Sequence, residues 1–189
     1  MLTRQLFPTL LYEAAIDAAL LPELARSIRS LAKDDSAGRD WSRRHRYAGY
    51  TSYASLNDLP RRDPAFGDFA RLLTKHARAF AVELGWEAKP RLDSLWVNLL
   101  KGGGHHSGHI HPHSILSGTL YVEVPRGAGA IRFEDPRLPL MMAAPASDER
   151  FVSVEPRAGM LLLWESWLRH EVLAGTGKAE RLSISFNFA

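Results

Sequence analysis

The sequence predicts an α+β chain, mainly β: a double-sheet jelly roll or barrel, braced from outside by two N-terminal helices. Three observations predict it. Two segments in the first half carry apolar residues at helical spacing. From Lys89 onward the pattern changes to short apolar or alternating runs broken by Gly, Pro and polar turns, with no convincing helix. In the last of these runs polar and apolar residues alternate strictly. At 189 residues a single domain, 1–189, is expected. Residues 1–88 would form a helical support region with edge strands, and 89–189 the β core.

Residues 5–13 are apolar and end at Glu13, and read as a first strand. Asp17 caps a helix over about 18–33, where Leu20, Leu21, Leu24, Ile28 and Leu31 share a face. Residues 34–46 are charged and contain Gly38, which predicts a loop. Tyr47 to Tyr53 reads as a short strand, and Pro60 to Asp63 as a turn. The best helix is 64–84, with Phe66, Phe69, Leu72, Leu73, His76, Phe80 and Leu84 in one stripe. On that stripe His76 is a core or boundary residue, not a ligand. Eight strands follow, over 91–100, 105–111, 116–124, 129–134, 151–155, 159–165, 169–173 and 180–188. Between them, 136–150 reads as a lid or binding loop. Its Met141 and Met142 either line a cleft or pack down.

Composition excludes several classes. The net charge is +3, from 24 basic and 21 acidic residues, which gives no basic stripe for nucleic acid. The one basic cluster is Arg43-Arg44-His45-Arg46, beside Trp41 and Tyr47, and reads first as a solvated loop. There is no Cys, hence no disulfide, thiolate metal site or Cys nucleophile. No apolar run approaches the roughly 20 residues of a membrane span. The N-terminal residues lack a signal-peptide core, so a soluble cytoplasmic protein is the expectation. Exposed strand edges are compatible with a homodimer.

The chemistry concentrates in Gly102-Gly103-Gly104-His105-His106-Ser107-Gly108-His109-Ile110-His111-Pro112-His113, which holds five of the eight histidines. A sixth, His170, follows a strand-like run. Residues at i and i+2 share one strand face, so His109, His111 and His113 do. His109 and His111, with one later His near a strand end, give three ligands with open positions opposite. That arrangement suits non-haem Fe(II). His105 and His106, in the Gly-rich turn, read as surface residues. Arg181 lies eleven residues after His170 on a polar strand face with Ser183, Ser185 and Asn187. There it could clamp a carboxylate by two parallel hydrogen bonds, with Ser183 adding a hydroxyl. Ser117, Thr119, Tyr121 and Glu123 make a second such face. Together these faces predict a ligand pocket inside the barrel.

These motifs form an ordered set: Trp96-Val97-Asn98, Gly102-Gly103-Gly104, His109-Ile110-His111-Pro112, Ser117-Gly118, Tyr121, His170 and Arg181-Leu182-Ser183. The set resembles the 2-oxoglutarate and Fe(II)-dependent oxygenases, in the prolyl-hydroxylase-like part of that superfamily, and most closely a group of small bacterial oxygenases. The resemblance covers about residues 90–188. It implies a double-stranded β-helix, iron, 2-oxoglutarate and molecular oxygen. It also implies that His109, His111 and His170 hold the metal, and that Arg181, with Ser183 and Tyr121, binds the far carboxylate of 2-oxoglutarate. Asn98 would face the same pocket. The activity implied is a dioxygenase that hydroxylates a small-molecule or peptide substrate while 2-oxoglutarate is decarboxylated to succinate. Trp164 and Trp167 flank the approach to His170, where they either exclude water or simply pack.

One departure stands out: the superfamily's usual second ligand is Asp or Glu, and this chain has His111. Asp135 or Glu123 would be the carboxylate if His111 did not bind. Two rivals remain. A cupin-type metal enzyme without 2-oxoglutarate would need a Glu three or four residues beyond the second His, where Ile115 and Leu116 stand, and would not need Arg181. A non-catalytic jelly-roll module with structural zinc would need a fourth ligand such as His113.

Overall fold

The chain folds as two facing antiparallel sheets with helices packed on the outside of one. A computed structural model describes residues 1–145 and 150–189. In order come β1 (Leu11–Ala15), α1 (Leu21–Asp34), α2 (Ser36–Arg44), β2 (Gly49–Thr51), α3 (Pro64–Glu83) and β3 (Leu92–Leu100). Then follow β4 (His106–His109), β5 (Leu116–Glu123), β6 (Ile131–Glu134), α4 (Leu140–Ala143), β7 (Phe151–Val154), β8 (Met160–Glu165), β9 (His170–Val172) and β10 (Arg181–Phe188). One sheet has six strands, in the order β1-β8-β5-β10-β3-β2, and the other four, β4-β9-β6-β7. This is the expected jelly roll.

The six-stranded sheet is covered on both faces, so its strands read as near-continuous apolar runs. Alternation still sorts the side chains. Leu182, Ile184, Phe186 and Phe188 of β10 point outward, as do Leu161 and Leu163 of β8, and join the core shared with the helices. Helix α3 supplies Phe66, Phe69, Leu73, Ala77 and Phe80 from one face, and α1 supplies Leu24 and Ile28. Phe69 meets Phe186 edge to face at 6.4 Å. Each such ring, fully buried, contributes roughly 1.5–3 kcal/mol. A second, smaller cluster fills one end of the space between the sheets with Met160, Leu162, Trp164, Phe133 and Leu168.

Three expectations need correction. The first strand begins at Leu11, not residue 5, because only Leu11–Ala15 pairs with β8 and residues 1–9 stay exposed. Within 34–46 there is no simple loop, since α2 occupies Ser36–Arg44. Its start is set by Asp35, which accepts from the Gly38 N–H at 2.9 Å, Tyr50 Oη at 2.8 Å and Ser55 Oγ at 2.5 Å. Burial raises the Asp35 pKa, but these hydrogen bonds outweigh it and hold the carboxyl below its usual range. The braces are therefore three helices rather than two. Finally, the 136–150 segment contains the short α4, with Met141 and Met142 exposed rather than packed or lining the histidine cleft. The part of that segment at 146–149 lies outside the described residues.

His76 is at the boundary, as expected: it is half-buried, and Tyr12 Oη lies 2.8 Å from its Nδ1. Among the described residues no helix is long and apolar enough to cross a membrane.

Candidate metal and anion site

Strand pairing brings the histidines together. β4 runs antiparallel to β9, which sets His109 opposite His170. His111, two residues beyond His109, is held by its backbone N–H on the Ser166 carbonyl at 3.0 Å. The three rings have centroids 4.4–5.2 Å apart. One nitrogen from each lies within 4.8 Å of the others, and among the described residues this is the only such group of three His or carboxylate side chains.

The hydrogen bonds of the rings fix their tautomers. His109 Nδ1 is 2.7 Å from the Ser107 carbonyl and His170 Nδ1 is 2.9 Å from the Leu168 carbonyl. A carbonyl only accepts, so each Nδ1 carries the proton and each Nε2 is left with a lone pair. His111 Nε2 faces His170 Nε2 at 3.3 Å. Two such atoms either share one proton or aim both lone pairs at a cation. Asn187 of β10 lines the same cavity as His111, and Ser117 Oγ donates to Asn187 Oδ1 at 2.9 Å. Carbonyl partners like those of His109 and His170 orient metal-binding imidazoles.

Burial keeps the His170 and His111 rings neutral. It pushes His170 down to about 3, reinforced by the neighbouring imidazoles and opposed by the Leu168 carbonyl. His111 goes down to about 4, from burial and then from His109. Trp164 covers His170 edge-on at 4.6 Å. Neutral imidazole is the ligating form, so the trio suits a divalent transition metal.

Neither alternative carboxylate is at hand. Glu123 pairs with Arg29 of α1, and Asp135 with Arg137. His113 is exposed, with φ of +69° after Pro112, and points away from the strand face it was expected to share. His105 is exposed, as expected. His106 is not a surface residue: it lines the cavity and meets Tyr47 Oη at 2.9 Å through Nε2. Burial pushes it down to about 4, helped by Arg181. The cause is a bulge between His106 and His109 that upsets strict alternation. Trp164 is buried at the site, whereas Trp167 is largely exposed.

The rings open onto a cavity of about 400 Å³ between the sheets. Its inner end is Arg181, only 4 % exposed. The guanidinium donates one hydrogen bond, to the Gly129 carbonyl at 3.1 Å, and its Nε has no partner. Gly129 is required there, since a Cβ would sit 1.7 Å from the Leu173 carbonyl oxygen. No acid among the described residues pairs with Arg181. Tyr121 Oη is also buried without a partner, and burial pushes this phenol up to about 12, against the pull of Arg181. Ser183 is buried two residues along β10. A buried cation beside unpartnered O–H and N–H donors is built to receive an anion. Asn98 lines the same cavity, but its side chain is engaged: Oδ1 accepts from Thr51 Oγ1 at 2.8 Å and Nδ2 donates to Ser185 at 3.0 Å.

A sequence model of the family described as "Putative 2OG-Fe(II) oxygenase" matches residues 94–187, which span the histidines and Arg181. The chain belongs to the 2-oxoglutarate/Fe(II) oxygenases. No curated protein sequence matches this oxygenase. Solved structures agree on the fold. A prolyl-4-hydroxylase from Pseudomonas putida aligns with TM-score 0.66 at 20% identity, over 94% of this chain and 91% of its own. AviO1 from Streptomyces viridochromogenes aligns with TM-score 0.64 at 15% identity, over 96% and 90%. HygX from Streptomyces hygroscopicus, solved with nickel and 2-oxoglutarate bound, aligns with TM-score 0.62 at 13% identity, over 96% and 82%. On this fold the chain brings together three imidazoles, those of His109, His111 and His170. The partners of Arg181 and of the rings fit both an iron ion and a dicarboxylate.

Proposed function

We propose that this oxygenase binds Fe(II) through His109, His111 and His170 and uses 2-oxoglutarate and molecular oxygen to hydroxylate an organic substrate. Arg181, with Ser183 and Tyr121, takes the far carboxylate of 2-oxoglutarate. The observation that carries the reading is Arg181 itself. A buried guanidinium with an unpartnered Nε, in the same cavity as three clustered imidazoles, matches a ligand that has an anionic end and a metal-chelating end.

When bound, Fe(II) would activate molecular oxygen, which is the oxidant, with 2-oxoglutarate giving up two electrons and leaving as succinate and carbon dioxide. The residues of the chain do the rest. His109 and His170 stay in one tautomer because the Ser107 and Leu168 carbonyls hold their Nδ1 protons. His111 is held in place by its backbone N–H on the Ser166 carbonyl. Arg181 and Tyr121 orient the co-substrate by hydrogen bonds that cost no reorganisation, since both groups are already buried and unpaired. Trp164 and Phe133 wall the imidazoles off from water on one side. Asn98 serves as a brace between β2, β3 and β10, through Thr51 and Ser185.

Anaerobic titration of the chain with Fe(II) and then 2-oxoglutarate tests the proposal. The expected result is a visible charge-transfer band that needs both additions. Iron retained with no band would remove 2-oxoglutarate from the reading and favour a cupin-type chemistry.

A further inference from the structure

The cavity has a second end, at its mouth, that the co-substrate does not use. Trp41 from α2, Tyr53 from the turn after β2 and Trp96 from β3 line it together. Tyr53 stands edge-on to Trp96 at 5.3 Å and to Trp41 at 6.5 Å. Trp96 in turn stacks against His111 at 6.2 Å, with 30° between the planes. The aromatic series therefore runs from solvent to a proposed metal ligand without a break. Ile110 and Pro112, flanking His111, contribute apolar surface to the same cavity. Tyr53 is 56 % exposed and Ile110 47 %, so this surface is not consumed by packing.

The charge of the cavity is equally one-sided. Among the described residues no Asp, Glu or Lys lines it, and its one guanidinium is Arg181 at the inner end. Aromatic rings can hold a cation, but here an entering cation would meet no counter-charge and would approach Arg181 and a metal ion. The same walls suit a flat ring, through edge-to-face and offset contacts.

We propose that the mouth selects the prime substrate by a flat, ring-bearing end without positive charge, held among Trp41, Tyr53 and Trp96 with its reacting C–H directed at the three histidines. The inference rests on the oxygenase reading for the reaction but not for the binding. The ring directs and the imidazole trio receives, so specificity is written in residues 41–53 and 96.

Calorimetry on the full chain, anaerobic and with Fe(II) and 2-oxoglutarate, tests it with four probes: phenylpropanol, phenylpropionate, phenylpropylammonium and heptanol. The two uncharged or anionic ring probes are expected to bind at least about tenfold tighter than the ammonium and the open-chain alcohol, by stacking and charge together. Tyr53→Ala, at an exposed position, should weaken phenylpropanol by about fivefold to tenfold. It should leave the charge-transfer band of the metal and co-substrate unchanged, while Tyr53→Phe should restore ring binding. Equal binding of the ammonium probe or of heptanol overturns the proposal, as does an unaltered affinity in Tyr53→Ala or no ring binding at all. The charge-transfer band, read in the same Fe(II)- and 2-oxoglutarate-loaded samples, separates the two readings. Ring selection without any charge-transfer band supports the mouth and sinks the oxygenase chemistry; a band without ring selection does the reverse.

Discussion

Replacing Arg181 with Met separates an anion-binding role from a structural one. In the free chain the guanidinium is buried, makes one hydrogen bond to the Gly129 carbonyl and has no acidic partner among the described residues. Its removal relieves the cost of an uncompensated buried charge and loses one charge-assisted bond, worth about 1.5–3 kcal/mol. Met fills much of the same volume. The two terms oppose each other, so the stability of the metal-free chain should change by no more than about 1 kcal/mol, and a gain is allowed. The complex behaves differently. Two charge-assisted bonds to a carboxylate disappear, at a cost of about 2–5 kcal/mol. Affinity for 2-oxoglutarate should fall by roughly thirtyfold to several thousandfold. Iron binding, through other residues, should stay within about threefold. Urea melts of the metal-free chain give the first number, and anaerobic difference spectra give the other two. A loss above about 3 kcal/mol in the melts would make Arg181 a structural keystone, and unchanged 2-oxoglutarate affinity would refute the assignment.

Three further outcomes follow from the same geometry. His106, His111 and His170 have folded values of about 4, about 4 and about 3, all below the unfolded 6.5, so the unfolded chain binds more protons below about pH 6.5. The metal-free protein should hold its stability above pH 7 and lose on the order of 2 kcal/mol per imidazole by about pH 4.5, read as the shift of the urea midpoint; a flat profile would contradict burial of the rings. Asn187→Ala, in the cavity wall shared with His111, should weaken iron about tenfold to a hundredfold in a chelator competition if its amide orients that ring, and no change would remove Asn187 from such a role. Gly129→Ala forces a Cβ into the Leu173 carbonyl and should cost about 1–3 kcal/mol in a thermal melt, whereas an unaltered melt would mean the two loops can part freely.

How much of this was legible in the sequence depended on how local each cause is. The polar face of β10 can be read because alternation is local: Arg181, Ser183, Ser185 and Asn187 all line the cavity. The proximity of His109, His111 and His170 needed only two strands and their pairing. Helix α2 escaped because its own residues, Ser36, Gly38 and Asp40 among them, are weak helix formers. Its cap depends on Tyr50 and Ser55, which arrive from 15 and 20 residues downstream. His106 escaped because a bulge alters which side chains share a face and leaves no mark in the pattern. Trp41, Tyr53 and Trp96 were legible only as isolated aromatics. A basic loop reading hid Trp41, and nothing in the spacing of 41, 53 and 96 announces a shared cavity.

His111 connects these findings through charge. A carboxylate in its place would subtract one charge from the proposed metal site, which faces Arg181 across a cavity that no acid lines among the described residues. With imidazole, none of those lining residues would offset either the proposed metal or the guanidinium. The two positive groups would then repel until an anion binds with them. Under the proposed chemistry, a dianion that touches both is the natural bridge, and binding of metal and co-substrate must strengthen each other by the same factor. One dianion against a divalent metal and a guanidinium would leave a net positive charge, and that remainder is why the mouth can discriminate by charge. As long as the inner end holds its positive groups, a cationic substrate approaches against the field, and an uncharged or anionic ring does not.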